Sequence, residues 1–128
     1  SEENILGQLY GQALKAKGYK VTLKDNVGST EIIYKALTSG QIDMYPEYTG
    51  TGLLAILQPS QQTINNLIEN RDSVYNYVTQ QFKQQYDLTW LKPIGFNNAY
   101  ALMMRRAESN ELNIHSISEL TDYVDKKK

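Results

Sequence analysis

Two tyrosines stand where a short apolar stretch of the sequence ends. Residues 42–45 are typical of a buried strand, Pro46 stops its hydrogen-bond ladder, and residues 49–52 resemble a turn that opens a helix. Tyr45 and Tyr48 therefore flank the end of a predicted strand. In an open α/β sheet, ligands bind beyond the carboxyl ends of the strands. Because tyrosine offers both an aromatic face and a hydroxyl, the sequence predicts a ligand site here, with Tyr45 as a structural or rim residue.

Further polar and aromatic candidates lie at the starts of predicted helices and after a loop. Tyr100 follows a short loop, so it could face the same crevice as Tyr48. Thr51, three residues after Tyr48, and the pair Ser29 and Thr30 stand at helix starts, where backbone N–H groups and the helix dipole favour anions. Serine and threonine also serve there as plain caps. Packing in the core is equally an alternative role for each tyrosine.

The elements that must position these residues alternate along the chain. Helical spacing of apolar residues predicts helices, and short apolar or alternating runs predict strands, in the following order: helix 2–17, strand 19–24, a helix from Ser29 or Thr30 to residue 39, strand 42–45, helix 50–57, surface structure with a turn at 64–68, helix 71–86, strands 88–91 and 100–104, and helix 118–126. This alternation predicts a single domain over residues 1–128 with an α/β fold, a three-layer sandwich whose sheet is mainly parallel.

Composition restricts the classes of partner. The 128 residues are enough for one domain, and 13 basic against 14 acidic residues give a net charge of -1. Because phosphate binding needs a basic face, we expect no nucleic-acid partner. The chain has no cysteine, which excludes thiol catalysis and cysteine metal sites, and no apolar run reaches the roughly 18 residues of a membrane span.

Enzyme chemistry finds little support in the residue types. His115 is the single histidine, which is a poor basis for a metal site or a catalytic pair. Asp43 and Glu47 could form paired carboxylates, but we expect Asp43 to support the strand-end turn and Glu47 the following loop. The run at residues 49–52 lacks the lysine of a phosphate-binding loop. We therefore expect no catalysis, no metal and no cofactor.

Four segments, in order, resemble the substrate-binding proteins of ABC-type osmoprotectant importers. Residues 42–51 resemble the YPEYTGT signature of that family, and residues 1–7, SEENILG, resemble its FTEQ-x-ILG opening without the Phe. Residues 28–31 resemble its GGTE-like loop, and residues 93–102 its PxGFNxxYAL segment. The resemblance covers most of the chain but implies only one lobe of a two-lobed, periplasmic-binding-protein-like fold.

The resemblance implies a ligand and the residues that bind it. The family imports quaternary ammonium compounds such as glycine betaine, choline and carnitine, which cannot donate a hydrogen bond and are held by aromatic faces at about 0.5–2 kcal/mol per ring. Tyr48 and Tyr100 match the cage positions of this lobe, and Thr51 matches a carboxylate contact. Asn98 stands where some members have Asp, near the cation. The identity of the ligand therefore stays open.

The resemblance also implies partners and a compartment. We expect an extracytoplasmic, membrane-associated protein whose lobes close around the ligand and are then recognised by an ABC permease. The first strand and the second lobe of the family lie outside these 128 residues. We therefore expect weak or no ligand binding by this chain alone, and an unpaired sheet edge that favours a homodimer by strand exchange. Two alternatives stay open: an interaction or scaffold fragment without transport function, and a receptor for another trimethylammonium zwitterion such as ergothioneine.

Overall fold

A computed structural model describes residues 2–25, 27–95 and 101–127 of the chain. The chain divides into two compact units, Ser1–Ile94 and Gly95–Lys128. The described residues of the first unit form five α-helices and a π-helix, and those of the second form two α-helices. In chain order they are α1 Glu2–Ala16, α2 Thr30–Thr38, α3 Thr49–Thr51, the π-helix Gly52–Leu57, α4 Gln61–Leu67, α5 Arg71–Tyr86, α6 Arg106–Leu112 and α7 Ile117–Asp125. None of the helices in the described ranges is long and apolar enough to cross a membrane.

The core of the first unit is built on α5. Val74, Val78 and Phe82 follow one another at intervals of four, so they form one face of the helix, and all three are buried with Leu53 of the π-helix. Burying each such side chain contributes about 1.5–3 kcal/mol. The π-helix also packs against α2, and α4 packs against α5. This face therefore organises the first unit.

Aromatic rings surround Phe82. The centroid of its ring lies 6.2 Å from that of Tyr34, 5.5 Å from that of Tyr86 and 5.4 Å from that of Trp90. Tyr34 and Tyr86 are themselves 5.2 Å apart. All four pairs meet edge to face, the arrangement that the ring quadrupole favours, at about 0.5–1.5 kcal/mol per pair beyond burial. The rings connect α2, α5 and the segment after α5.

The π-helix depends on a glycine at its first position. A Cβ atom on Gly52 would lie 2.9 Å from Cζ2 of Trp90 and 3.3 Å from Cγ1 of Val78. The indole therefore packs directly on the backbone at this point. Short π-helical turns are rare and occur often at functional sites. This one begins immediately after Thr51, one of the candidate binding residues.

The expected three-layer sandwich with a mainly parallel sheet is wrong. The described residues contain no strand, although they include the segments 19–24, 42–45, 88–91 and 101–104 that were expected to form the sheet. Residues 101–104, the described part of the last expected strand, are exposed, and Met103 is 93% exposed, so this apolar run does not form the core of a sheet.

The alternation of apolar and polar residues at 19–24 corresponds to alternating burial of the side chains, but this segment is not paired with a strand among the described residues. Val21 and Leu23 are half-buried, whereas Thr22 and Lys24 are exposed. Leu23 packs on α1, where a Cβ on Gly11 would lie 3.0 Å from its Cδ2. The link to the next extended segment is made by a side chain, since Lys24 Nζ donates to the Gln41 carbonyl at 2.7 Å. A period of two therefore identifies a half-buried extended backbone, but a sheet also needs a neighbour.

The helices agree with the sequence-based predictions more closely than the strands do. The helix expected at residues 71–86 has the bounds of α5, and the others differ by one to three residues at most ends. In α1 the predicted apolar stripe is only partly buried, because Ile5 and Leu9 are 65% and 58% exposed. Helix α6 was not expected, since its sequence, RAESNEL, has no apolar repeat.

The second unit turns between its two helices at Ile114, which is 5% exposed. Ser109 Oγ donates to the Ile114 carbonyl at 2.5 Å. The next helix begins with a capping box: Ser116 Oγ accepts from the Glu119 N–H at 3.2 Å, and the Glu119 carboxylate accepts from the His115 N–H at 2.7 Å. The expected cap at Ser116 or Ser118 is thereby confirmed as Ser116.

Candidate functional site

Tyr48 and Thr51 lie at the two ends of one helical turn. Tyr48 is the N-cap of α3, with an extended backbone at φ -104° and ψ 135°, and Thr51 is the last residue of α3. The Gly52 N–H donates to the Tyr48 carbonyl at 2.9 Å. This turn therefore places the tyrosine where an extended segment meets a helix, as the sequence predicts, although no sheet is present among the described residues.

Glu47 holds both neighbouring tyrosines. Its Oε1 atom accepts a hydrogen bond from the backbone N–H of Tyr48 at 2.8 Å, and its Oε2 atom accepts one from the Tyr45 hydroxyl at 3.1 Å. Both bonds are half-buried, and bonds to a carboxylate are stronger than those between neutral groups. Glu47 therefore supports the loop, as expected, and fixes the backbone from which the Tyr48 ring projects.

The hydroxyl of Tyr48 is held from a distant part of the chain. It donates to Glu2 Oε1 at 2.5 Å, across 46 residues of sequence. Glu2 is the first residue of α1, so this hydrogen bond connects the start of α1 to the start of α3. The Tyr48 residue is thus held at its backbone by Glu47 and at its hydroxyl by Glu2.

Burial and negative charge shift the pKa values in this cluster. Burial raises the pKa of the Tyr48 hydroxyl, and the hydrogen bond to Glu2 with the charges of Glu2, Glu3 and Glu47 raises it further. Burial also raises the pKa of Tyr45, with the charge and hydrogen bond of Glu47 next in size. The pKa of Glu47 is raised by burial and by the charge of Glu3, against the opposing effect of its two hydrogen bonds.

The carboxylates near Tyr48 carry no described ion pair. Among residues 2–25, 27–95 and 101–127, the single ion pair joins Lys83 of α5 to Asp87, the residue that follows the helix. The negative charges of Glu2, Glu3 and Glu47 all act on the hydroxyl of Tyr48. A negative field and an electron-rich ring face both attract a cation.

Ser29 and Thr30 lie at the start of a different helix. Ser29 is the N-cap of α2, but its side chain makes no capping hydrogen bond. The preceding Gly28 has φ +125°, and a Cβ there would lie 2.9 Å from Cδ1 of Ile32. This tight turn requires glycine and leaves the Ser29 hydroxyl exposed at the helix start.

A surface hollow of about 370 Å³ lies beside α2. It is lined by Val27, Ile32, Lys35, Ala36, Ser39 and Gln41. Neither Tyr48 nor Thr51 contributes to it. The two remaining candidates, Asn98 and Tyr100, lie outside the described residues.

Sequence reasoning missed the contribution of Glu2. Acidic residues in the first turn of a helix are common because they complement the helix dipole, so Glu2 and Glu3 carried no distinguishing signal. The one available indication was that the FTEQ-like and YPEYTGT-like segments occur together in the sequence. Their contact is tertiary and appears only in the folded chain.

Comparison with known families gives a match over the whole chain. Residues 1–128 match the family described as the substrate binding domain of ABC-type glycine betaine transport systems. A glycine-betaine-binding protein of Pseudomonas aeruginosa is 36% identical over 121 residues, which are 94% of this chain and 36% of that protein.

Two further relatives extend this similarity. The glycine betaine-binding protein YehZ of Escherichia coli is 27% identical over 124 residues, which are 97% of this chain and 39% of that protein. The solved structure of apo YehZ aligns with a TM-score of 0.60 over 91% of this chain and 40% of that one. An ergothioneine transport permease/ergothioneine binding protein of Helicobacter pylori is 28% identical over 121 residues, which are 94% of this chain and 20% of that protein. The chain therefore spans 40% or less of the length of these relatives.

Proposed function

Because this chain belongs to the family of substrate binding domains of ABC-type glycine betaine transport systems, we propose that it forms part of a receptor for a quaternary ammonium compound. The family consists of binding domains and not of enzymes. In this proposal Tyr48 and Tyr100 form one wall of an aromatic cage, while Thr51 and the Ser29–Thr30 helix start hold a carboxylate or polar tail, with Asn98 beside the cation.

The observation that carries the proposal is the electrostatic environment of Tyr48. Its hydroxyl donates to Glu2, its backbone N–H donates to Glu47, and the charges of Glu2, Glu3 and Glu47 all act on the hydroxyl. A methylated ammonium ion is attracted by these negative charges and does not compete for the hydrogen bonds already made to Glu2 and Glu47. An isolated packing tyrosine has no need of three nearby carboxylates.

The receptor would act together with further protein. The relatives are two to five times longer than this chain, and we propose that a second lobe or another chain closes the opposite wall. The closed form would then be recognised by an ABC permease on the extracytoplasmic face of the membrane. By itself one wall gives about 0.5–2 kcal/mol per ring, so the 128 residues alone should bind weakly or not at all.

Calorimetry on the gene product that carries these residues tests the proposal. We expect choline, glycine betaine or carnitine to bind, and a Tyr48→Ala, Tyr100→Ala variant to lose about tenfold or more in affinity because two rings are removed. Tyr19→Ala is the control, since Tyr19 is 65% exposed and should leave affinity unchanged. Sub-micromolar binding by the double variant would overturn the cage.

An ergothioneine-like zwitterion is a second candidate ligand. The relative from Helicobacter pylori named for ergothioneine matches 94% of this chain, and ergothioneine also carries a trimethylated nitrogen. Titrating ergothioneine in the same calorimetry distinguishes the two candidate ligands. Tighter binding of ergothioneine than of glycine betaine would favour an ergothioneine-like ligand.

A scaffold role without transport is the alternative from another class. Exposed apolar side chains in the second unit, Leu102, Met103 and Ile117 among them, would suit contact with another chain, including a second copy by exchange of an extended segment. Dimerisation in sedimentation experiments, with no response to any cationic ligand, would favour this role and contradict the receptor.

A further inference from the structure

Glu2 occupies an unusual place for a first-turn acidic residue. Its side chain is exposed and sits where a carboxylate complements the dipole of α1. Its neighbour Glu3 has the same dipole role. Only Glu2, however, receives the hydroxyl hydrogen bond of Tyr48, at 2.5 Å. The two residues therefore differ in the hydrogen bond to the candidate binding ring, while the charge of Glu3 also acts on Tyr45 and Glu47.

The Tyr48 ring has two rotatable bonds, and the hydrogen bond from its hydroxyl to Glu2 restricts them. Glu47 fixes the backbone N–H at 2.8 Å, and Glu2 fixes the hydroxyl at the far end of the ring. The phenol oxygen lies on the axis of the ring, so the bond to Glu2 holds the direction of that axis before any ligand arrives. Because a phenolic O–H prefers the plane of its ring, the position of the acceptor also favours one ring plane. A ring that must present its face to a cation gains from such preorganisation, because no side-chain entropy is lost on binding.

We propose that Glu2 is a positioning residue for the Tyr48 ring, holding its face toward the methylated ammonium group of the ligand. This inference rests on the proposed function of Tyr48. The acceptor of the Tyr48 hydroxyl is the charged carboxylate of Glu2, which makes the hydrogen bond stronger than one to a neutral acceptor. The same charge adds to the negative field at the ring. Glu2 itself does not touch the ligand.

Positioning and simple charge attraction predict different ligand profiles. Loss of charge alone weakens binding of a bare cation such as tetramethylammonium more than binding of glycine betaine, whose own carboxylate is repelled by the same charge. Loss of ring orientation weakens both ligands, because both present the same trimethylammonium group. Glu3 carries the charge without the hydrogen bond, so the chain contains its own control.

The first test needs no ligand and follows the phenol of Tyr48. In protein labelled with ¹³C at the tyrosine ζ carbon, the Tyr48 signal is the one lost in Tyr48→Phe. We expect its pKa to fall in Glu2→Ala more than in Glu3→Ala, since only the former removes the hydrogen bond as well as a charge. Glu2→Gln keeps an acceptor without the charge and should give an intermediate value. Equal shifts in Glu2→Ala and Glu3→Ala would overturn the inference.

The second test is a double-mutant cycle on ligand affinity, measured on the gene product that carries this chain. For glycine betaine we expect Glu2→Ala and Tyr48→Phe each to weaken affinity about fivefold, with no further loss in the combination, because both remove one hydrogen bond. Tetramethylammonium should weaken further in Glu2→Ala, which also removes a charge. Additive losses, or a loss confined to tetramethylammonium, would overturn the positioning role. If Tyr48→Ala leaves affinity unchanged, the proposed function of Tyr48 fails, and the ligand-free titration still decides whether Glu2 holds the ring.

Discussion

Tyrosines serve in two very different places in the first unit. Tyr34 and Tyr86 meet Phe82 edge to face around the α5 core, so their rings contribute packing. Tyr45 and Tyr48 instead donate their hydroxyls to carboxylates at a helix start. Ten tyrosines in 128 residues are conspicuous in the sequence, but their number does not tell which ones pack in the core and which ones donate to carboxylates. The contacts of each ring and hydroxyl in the folded chain distinguish the two roles.

The rings around Phe82 and the carboxylate cluster around Tyr48 contribute differently to the stability of the fold. Ring contacts around Phe82 remove apolar surface from water, which stabilises the fold directly. The carboxylate cluster keeps Glu47 half-buried, and burial of a charge is unfavourable unless it is compensated. We therefore expect the α5 core to dominate stability and the Tyr48 region to contribute little to it.

The largest effect should follow from emptying the core. Phe82→Ala removes a ring that is 2% exposed, and we expect a loss of about 3–5 kcal/mol in the free energy of unfolding. Urea denaturation measures it. Gln84→Ala, at an exposed position of the same helix, is the control and should change stability by less than about 0.5 kcal/mol. A loss below about 1 kcal/mol for Phe82→Ala would remove the basis for contrasting the two regions.

A smaller effect should come from the glycine at the start of the π-helix. Gly52→Ala places a methyl group 2.9 Å from the Trp90 ring, and such overpacking costs about 1–3 kcal/mol. Gly50→Ala is the matched control, since no heavy atom lies within 4 Å of its Cβ position. It should be neutral or slightly stabilising in the helix. Equal denaturation midpoints for the two variants would show that the indole does not pack there.

Removing the Tyr48 hydroxyl should have a modest effect on stability. Tyr48→Phe deletes one exposed hydrogen bond, so we expect a loss of about 0.5–1.5 kcal/mol, near the lower end. The same urea experiment measures it. A loss as large as that of Phe82→Ala would place Tyr48 with the core tyrosines and reverse the contrast between the regions.

The smallest effects should appear as opposite pH dependences of two carboxylates. The pKa of Glu47 is raised, chiefly by burial, so its contribution to stability decreases as pH rises from about 4.5 through its folded pKa. The pKa of Glu119 is lowered, first by its hydrogen bond from the His115 N–H. Its contribution is present above about 4.5 and is lost as pH falls through the folded pKa.

Carboxyl ¹³C titration measures both groups in one experiment. Stability curves then test the sign: relative to the unmodified chain, Glu47→Gln should gain stability as pH rises, whereas Glu119→Gln should be relatively weakest at neutral pH. A Glu47 signal that titrates below 4.5 would contradict the burial of its carboxylate.

Helices could be predicted from sequence because their signals are local. In α5 the spacing of Val74, Val78 and Phe82 places one apolar face, and the helix has the expected bounds. The cap at Ser116 follows from a residue type whose hydroxyl reaches a backbone N–H three residues on. Such contacts lie within a few residues, so no knowledge of the rest of the fold is needed.

Strands and the Tyr48 contacts could not be predicted in this way because they depend on distant residues. Residues 19–24 have the burial alternation of a strand, but pairing requires a second segment beside them, and the alternation says nothing of it. Glu2 and Tyr48 meet across 46 residues. The site candidates Asn98 and Tyr100, which lie outside the described residues, rest on the resemblance and stay predictions.

The packing of Trp90 on Gly52 gives the chain an optical reporter. Trp90 is the single tryptophan, and its indole contacts the backbone one residue beyond the turn that Tyr48 and Thr51 delimit. Indole emission changes with the polarity and rigidity of its surroundings. If the turn moves when a ligand binds at Tyr48, the surroundings of the Trp90 indole change as well. The emission maximum of Trp90 should then shift with ligand occupancy, without any added label.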